Sequence, residues 1–172
     1  RQRVVEVAME ISGAESAVVE EPEKNEMVYR AVCGGASGSL GLRLPIDQSL
    51  SGLTYKSLKT LVCEDSQLDD RIVLKEKALD IGFRSAVISP LLHKNMCYGV
   101  LKVYSGYPSN FNKDDKQLLE LSSNVLASAL CDAAAFDEEI KKRQLLLDAV
   151  PIFIAYIDLE GRFVEVNSAH EK

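Results

Sequence analysis

The 172-residue chain is poor in the residues that most often carry chemistry. It has two histidines, His93 and His170, and four cysteines, Cys33, Cys63, Cys97 and Cys131, spread singly with no C-x-x-C pair. A zinc site needs clustered ligands and a disulfide framework belongs mainly to small secreted domains, so the cysteines read as reduced, buried thiols of a cytosolic protein. His93 falls in a polar turn, a poor source for a haem ligand, and both histidines read as solvent-exposed. The acidic run Glu64 to Asp70 lacks the spacing and glycine of a calcium loop and reads as a solvated loop, with Asp69 or Asp70 near Arg71. No metal or cofactor is expected. No stretch approaches the roughly 18 apolar residues of a membrane span. Lysine and arginine are not clustered, and the net charge of −6 excludes a nucleic-acid surface, which needs basic groups to displace counterions. No signal-peptide pattern opens the chain at Arg1, and the end at Asn167–Lys172 falls in mid-motif. The expectation is a cytoplasmic piece of a longer protein with no membrane segment of its own.

What is present is a chain 47% hydrophobic, enough for one core and a fragment of a second domain. Its centre is Gly82 to Gly106, which reads as two long strands joined at His93-Lys94-Asn95. Ahead of it, Arg1 to Ile11 places Val4, Val5, Ala8 and Ile11 on one helical stripe stopped by Gly13. Ala14 to Glu20 and Glu26 to Cys33 read as a hairpin across a polar turn from Glu21 to Asn25. Gly34 to Gly41 reads as a loop, and Leu42 to Pro45 as a short extended piece. A helix to about Leu58 follows, with Ser49 or Ser51 as N-cap. Thr60 to Cys63 reads as a brief strand, and Ile72 to Ile81 as a helix ended by Gly82. Asn112 caps a last helix with Asp114 and Asp115 in its first turn. It runs from Lys113 to about Leu147, before Pro151. Leu118, Leu119, Leu121, Val125, Leu126 and Ala129 are expected to pack on the sheet. Further on, a seven-residue thread through Ala133, Ile140 and Leu147, with Phe136 between, suits a parallel two-helix coil, a plain amphipathic helix being the other reading.

In order, the strings ISGAESA, LPIDQSLSG, LVCEDSQLDDR, GFRSAVISPLL, GVLKVYS and FNKDDKQLL resemble the GAF family of small-molecule sensory domains, over about Val4 to Ala135. The resemblance implies an α+β fold, related to profilin-like and PAS-like sheets. Five or six antiparallel strands would carry the N- and C-terminal helices on one face and a ligand cavity on the other, with the last helix projecting. It implies a cavity lined by Tyr29, Leu50, Ser51, Leu53, Phe83, Ser85 and Val87 and taking an unknown small molecule. Beside the resemblance, the helical stripes lead us to expect a homodimer through the terminal helices, at Val4, Ala8, Leu126, Ala133, Phe136, Ile140 and Leu147. From Arg143, RQLLLDAVPIFIAYIDLEGRFVEVNSAHE resembles the opening of a PAS domain, with strands Ile152 to Ile157 and Arg162 to Val166 about the turn Asp158 to Gly161. The implied layout is residues 1–135 as the GAF domain, 136–150 as a helical connector and 151–172 as a truncated PAS start. Such a layout belongs to bacterial signalling proteins whose output, in cis, is usually a histidine kinase or a diguanylate cyclase. No catalytic residue is expected here.

Three branches of the family fit poorly. Bilin binders use a Cys-His pattern that is absent. The cyclic-nucleotide signature is broken, with Ser105-Gly106 where Asn-Lys is expected and Lys116 in place of Glu. The cysteine set of the methionine sulfoxide reductases has no match, and Cys63 beside Glu64 and Asp65 is poorly placed to ionise. A ligand-free dimerisation module and a reductase of that type are the alternative readings.

Overall fold

A computed structural model of the chain describes residues 1–149 and 155–166. The chain divides into two compact units, Arg1–Leu130 and Cys131–Lys172. The first unit opens with helix α1 (Gln2–Ser12), which ends where Gly13 takes a left-handed conformation, φ 62°, that any side chain would resist. Strands β1 (Ser16–Glu23) and β2 (Glu26–Gly34) follow, then a short 3₁₀ turn and β3 (Arg43–Pro45). Helix α2 (Leu50–Ser57), strand β4 (Leu61–Cys63) and helix α3 (Lys75–Asp80) lead to the long hairpin β5 (Ser85–His93) and β6 (Met96–Ser105). Helix α4 (Lys113–Ala149) comes last. Six strands form one antiparallel sheet in the order β3-β2-β1-β6-β5-β4, which bears out the expected α+β architecture with its long C-terminal helix.

Two cores form, one on each face. On the helix face, Val4, Val5 and Ala8 of α1 and Leu119 and Ala127 of α4 meet Ala17, Val19, Ala31, Val87, Leu91, Leu101 and Val103 of the sheet. On the opposite face Val18, Met27, Tyr29, Ile88, Val100 and Tyr104 lie under α2 and the segment around α3. Covered on both sides, β5 is buried from Ser85 to Leu91 and β6 from Gly99 to Ser105.

Local chemistry sets the boundaries. Ser49 caps α2, its Oγ accepting from Gly52 N at 3.1 Å. Asn112 and Asp115 form a reciprocal capping box on α4: Asn112 Oδ1 accepts from Asp114 N at 2.7 Å, and Asp115 Oδ2 from Asn112 N at 2.8 Å. The turn of the long hairpin is two residues, Lys94 and Asn95 at φ 48° and 64°, the left-handed pair whose twist matches the strands.

Several expected boundaries move. The first hairpin turns at Lys24-Asn25, so Glu21 to Glu23 belong to β1. Pro22 is tolerated there because the ladder to β6 ends at Glu20, leaving a local edge. The helix expected from Ile72 begins at Lys75, because Asp69 holds a turn: its Oδ1 accepts from Arg71 N at 3.0 Å and its carbonyl from Ile72 N at 3.1 Å. On α4, Leu119 is buried and Leu126 partly so, but Leu118, Leu121, Val125 and Ala129 face solvent. By length and composition Lys113–Arg143 would also pass for a membrane span, yet Leu119, Ser123 and Ala127 within it are buried in the protein.

In the second unit α4 continues, and β7 (Ala155–Ile157) pairs with β8 (Phe163–Val166) about a tight turn. Asp158 builds that turn: its Oδ1 accepts from Glu160 N and Arg162 N at 3.0 and 2.9 Å. The expected start of the first of these strands at Ile152, the break at Pro151, the side chain of Leu147 and His170 lie outside the described residues.

Candidate functional site

The site is built on the face opposite the terminal helices. Strand pairing sets Val18 and Ile88 on either side of Lys102, and Glu20 beside Val100, one step along. A charged residue on each of two central strands therefore points into an apolar core. β2 supplies the third group through a bulge. Val19 pairs with Ala31 but Glu20 pairs with Tyr29, so Arg30 is left over, exposed, and Tyr29 turns inward beside Glu20.

These residues form a network shut off from solvent. Lys102 Nζ lies 2.8 Å from Glu20 Oε1, with side-chain exposures of 3% and 0%. Lys102 also donates to Tyr29 Oη, and Ser51 Oγ of α2 donates to the same Glu20 oxygen at 2.6 Å. The ammonium sits 4.6 Å from the Tyr29 ring centroid and 5.7 Å from that of Phe83. Burial alone would push the Lys102 ammonium down; attraction to Glu20 and the hydrogen bonds outweigh it, holding the pKa above its ordinary value. Burial pushes the Tyr29 hydroxyl up, so it stays protonated. Glu20 Oε2 and Thr54 Oγ1 are buried with no hydrogen-bond partner.

Above the network lies a cavity of about 40 Å³. Its floor is Tyr29, Phe83 and Lys102; one wall is Gln48 to Ser51 at the start of α2, and the other is Ile72, Leu74, Lys77, Ala78 and Ile81. Leu42 and Leu44 close the side. The two walls are anchored differently. An added Cβ at Gly52 would lie 1.9 Å from the Ile46 carbonyl oxygen, so α2 rests directly on the backbone of the preceding turn. The other wall is latched mainly by side chains: Lys75 Nζ donates to Gln67 O at 2.8 Å and Gln67 Nε2 to Lys75 O at 3.2 Å.

Of the residues expected to line the cavity, Tyr29, Leu50, Ser51 and Phe83 do so. Three do not. Val87 belongs to the core on the helix face, since its neighbours Ala86 and Ile88 take the cavity side. Ser85 Oγ donates to Tyr107 O at 2.6 Å and so fixes the loop that leads to α4. Leu53 is 40% exposed on the outer side of α2. Sequence reasoning missed Glu20 and Lys102. The signal was there, as a charge at a core-facing phase in AVVEE and in GVLKVYS.

Two residues expected at a dimer interface are also corrected: Val4 and Ala8 are spent in the helix-face core, where no second chain can reach them. Leu126 is packed at the edge of that core, whereas Ala133, Phe136 and Ile140 are exposed.

The acidic loop is a pair of arginine clamps. Arg84 Nε donates to Asp65 Oδ1 at 3.0 Å, and Arg71 Nε to Asp69 Oδ1 at 2.8 Å. The Arg84 and Arg71 hydrogen bonds hold the Asp65 and Asp69 carboxyls below the usual range. Cys63 is buried in the cavity-side core, and burial, then the Asp69 carboxylate, push its thiol up to about 12. All four cysteines are free, and among the described residues no group of three or more potential ligands could hold a metal ion.

With this geometry in view, the sequence profile of the GAF domain matches residues 2–130. No curated protein matches the chain. Among solved structures, the second GAF domain of DevS from Mycobacterium smegmatis superposes with a TM-score of 0.67 at 18% identity, covering 80% of this chain and 95% of that one. The GAF domain of a phosphoenolpyruvate-protein phosphotransferase from Coxiella burnetii gives 0.67 at 19%, covering 80% and 83%. A free methionine-R-sulfoxide reductase from Neisseria meningitidis, solved with its substrate, gives 0.62 at 20%, covering 74% and 73%.

Proposed function

The chain belongs to the GAF family over residues 2–130, and from that premise we propose that this unit is a non-catalytic sensing module whose ligand is a small molecule held between the sheet and α2. The observation that carries the reading is the cavity itself: mainly apolar walls over a floor with a few fixed polar groups. At about 40 Å³ it is much smaller than ligand sites, which usually run to roughly 300–1,000 Å³. A ligand therefore favours an arrangement with the walls further apart, and it shifts the protein only by its preference for that arrangement. Output follows in cis from the long helix. A bacterial histidine kinase or diguanylate cyclase in the cytoplasm is the output that we infer, with the Asp158 hairpin as the start of an intervening PAS domain.

We place homodimerisation on α4, where Leu118, Leu121 and Val125 are exposed at coiled-coil spacing. Val125→Asp should then convert dimer to monomer in sedimentation; a variant still dimeric would remove this face as the interface. Reductase chemistry needs a thiolate near neutral pH, and Cys63, the cysteine of the cavity-side core, is held far from it.

The test of sensing is native mass spectrometry of the protein from lysate and after refolding. A discrete added mass on the first sample, lost from the second, is the expected result. A bare dimer in both, with no small molecule stabilising it in a broad thermal-shift screen, would leave dimerisation as the whole role.

A further inference from the structure

Taking the cavity as the sensory site, we propose that its ligand is a small organic monoanion, a carboxylate on an apolar body, read by Lys102. Two lysines line the cavity, Lys102 on the floor and Lys77 on α3, and no aspartate or glutamate lines it. Beneath the floor, Glu20 balances one of those two positive charges. One positive charge is left over, which matches one carboxylate and leaves a dianion in excess.

The ammonium is set to receive that group. It has three N–H donors; Glu20 takes one and Tyr29 another, which leaves one more on a residue of the cavity lining. The Tyr29 and Phe83 rings and the Glu20 ion pair fix its position, so it does not have to be ordered on binding. Ser51, the first buried hydroxyl of α2, stands at the same floor. Apart from Gln48 and Ser49 at the start of α2 and Lys77 on α3, the remaining lining is apolar, with Leu42, Leu44, Ile72, Ala78 and Ile81 set to pack on a hydrocarbon body. An anion with a branched or aromatic body would press on these side chains and not on α2, which has no slack against Ile46.

The experiment uses the full chain and two sets of probes with matched skeletons: isovalerate, isovaleramide and isoamylamine, then benzoate, benzamide and benzylamine. Binding is read by saturation-transfer NMR and thermal shift. At least one acid should bind at least about tenfold more tightly than its amide and amine, the worth of one charge-assisted hydrogen bond. Lys77→Met, on an exposed residue, should weaken the acid severalfold. The paired change Glu20→Gln with Lys102→Met should abolish acid binding in a protein still folded by circular dichroism; if that pair fails to fold, Lys77→Met decides. An amide that binds as tightly as its acid would overturn the charge reading and leave the sensory one standing. An amine that binds best would overturn it in favour of Glu20 as the reader. Failure of all six probes at millimolar concentration would overturn the monoanion, while the sensory reading itself stands or falls on the mass-spectrometry comparison.

Discussion

Lys102→Met is the sharpest test of the network at the cavity floor. The substitution keeps most of the side-chain volume and removes the ammonium. Glu20, wholly buried, is then left with Ser51 as its remaining hydrogen-bond partner. Breaking one side of a buried ion pair costs about 3–5 kcal/mol, because an uncompensated charge stays in low dielectric. Against a total of roughly 5–15 kcal/mol for a domain of this size, the variant should be near the edge of folding at 37 °C. Its melting temperature should fall by about 10–20 °C at roughly 4 °C per kcal/mol. Adding Glu20→Gln removes the stranded charge and should recover most of the loss, since a buried pair replaced as a whole is often close to neutral. Urea unfolding followed by far-UV circular dichroism measures all three proteins. A Lys102→Met protein within about 1 kcal/mol of wild type would refute the burial and pairing of these groups.

Other perturbations test the surroundings. Gly52→Ala should destabilise by about 1–3 kcal/mol in the same urea assay, the clash with the Ile46 carbonyl outweighing the roughly 1 kcal/mol that alanine gains in a helix. The Asp65 and Asp69 carboxyls titrate below their ordinary value of 3.8. The stability they lend is full at neutral pH and is lost as pH falls below that value through their lower folded pKa values. Arg84→Met should therefore flatten the acid limb of a stability-against-pH curve, and an unchanged limb would place the acid sensitivity elsewhere.

The fold was legible because its punctuation is local. Gly13, Ser49, Asn112 and the Lys94-Asn95 turn act through their own backbone geometry or a hydrogen bond two or three residues away, and each marks its boundary in the sequence alone. The site was half legible. Ser51 and Leu50 sit on a short helix whose direction follows from its cap. Ser85 and Val87 failed because a strand covered on both faces carries no polar alternation to say which side is which; only the register with Val103 and Ser105 decides it. Tyr29 reaches the cavity through the surplus residue at Arg30, and no local signal announces a bulge created by pairing with another strand. Glu20 and Lys102 were visible as charges out of place, but that each answers the other is a fact of the folded sheet.

The seating of α2 on Ile46 divides the cavity into a jamb and a door. Substitutions on the jamb must preserve a backbone-to-backbone fit, so that side can change little without loss of the fold. The segment 72–81 has no comparable backbone-to-backbone seat: besides turn bonds at its two ends it is held by two bonds between Lys75 and Gln67, so its apolar side chains are the easier ones to exchange for others of different size. Over evolutionary time, or at the bench, new ligand shapes would be acquired by rewriting the door while the charged floor stays fixed. A library restricted to Ile72, Leu74, Ala78 and Ile81 is the economical place to look for altered recognition in this scaffold.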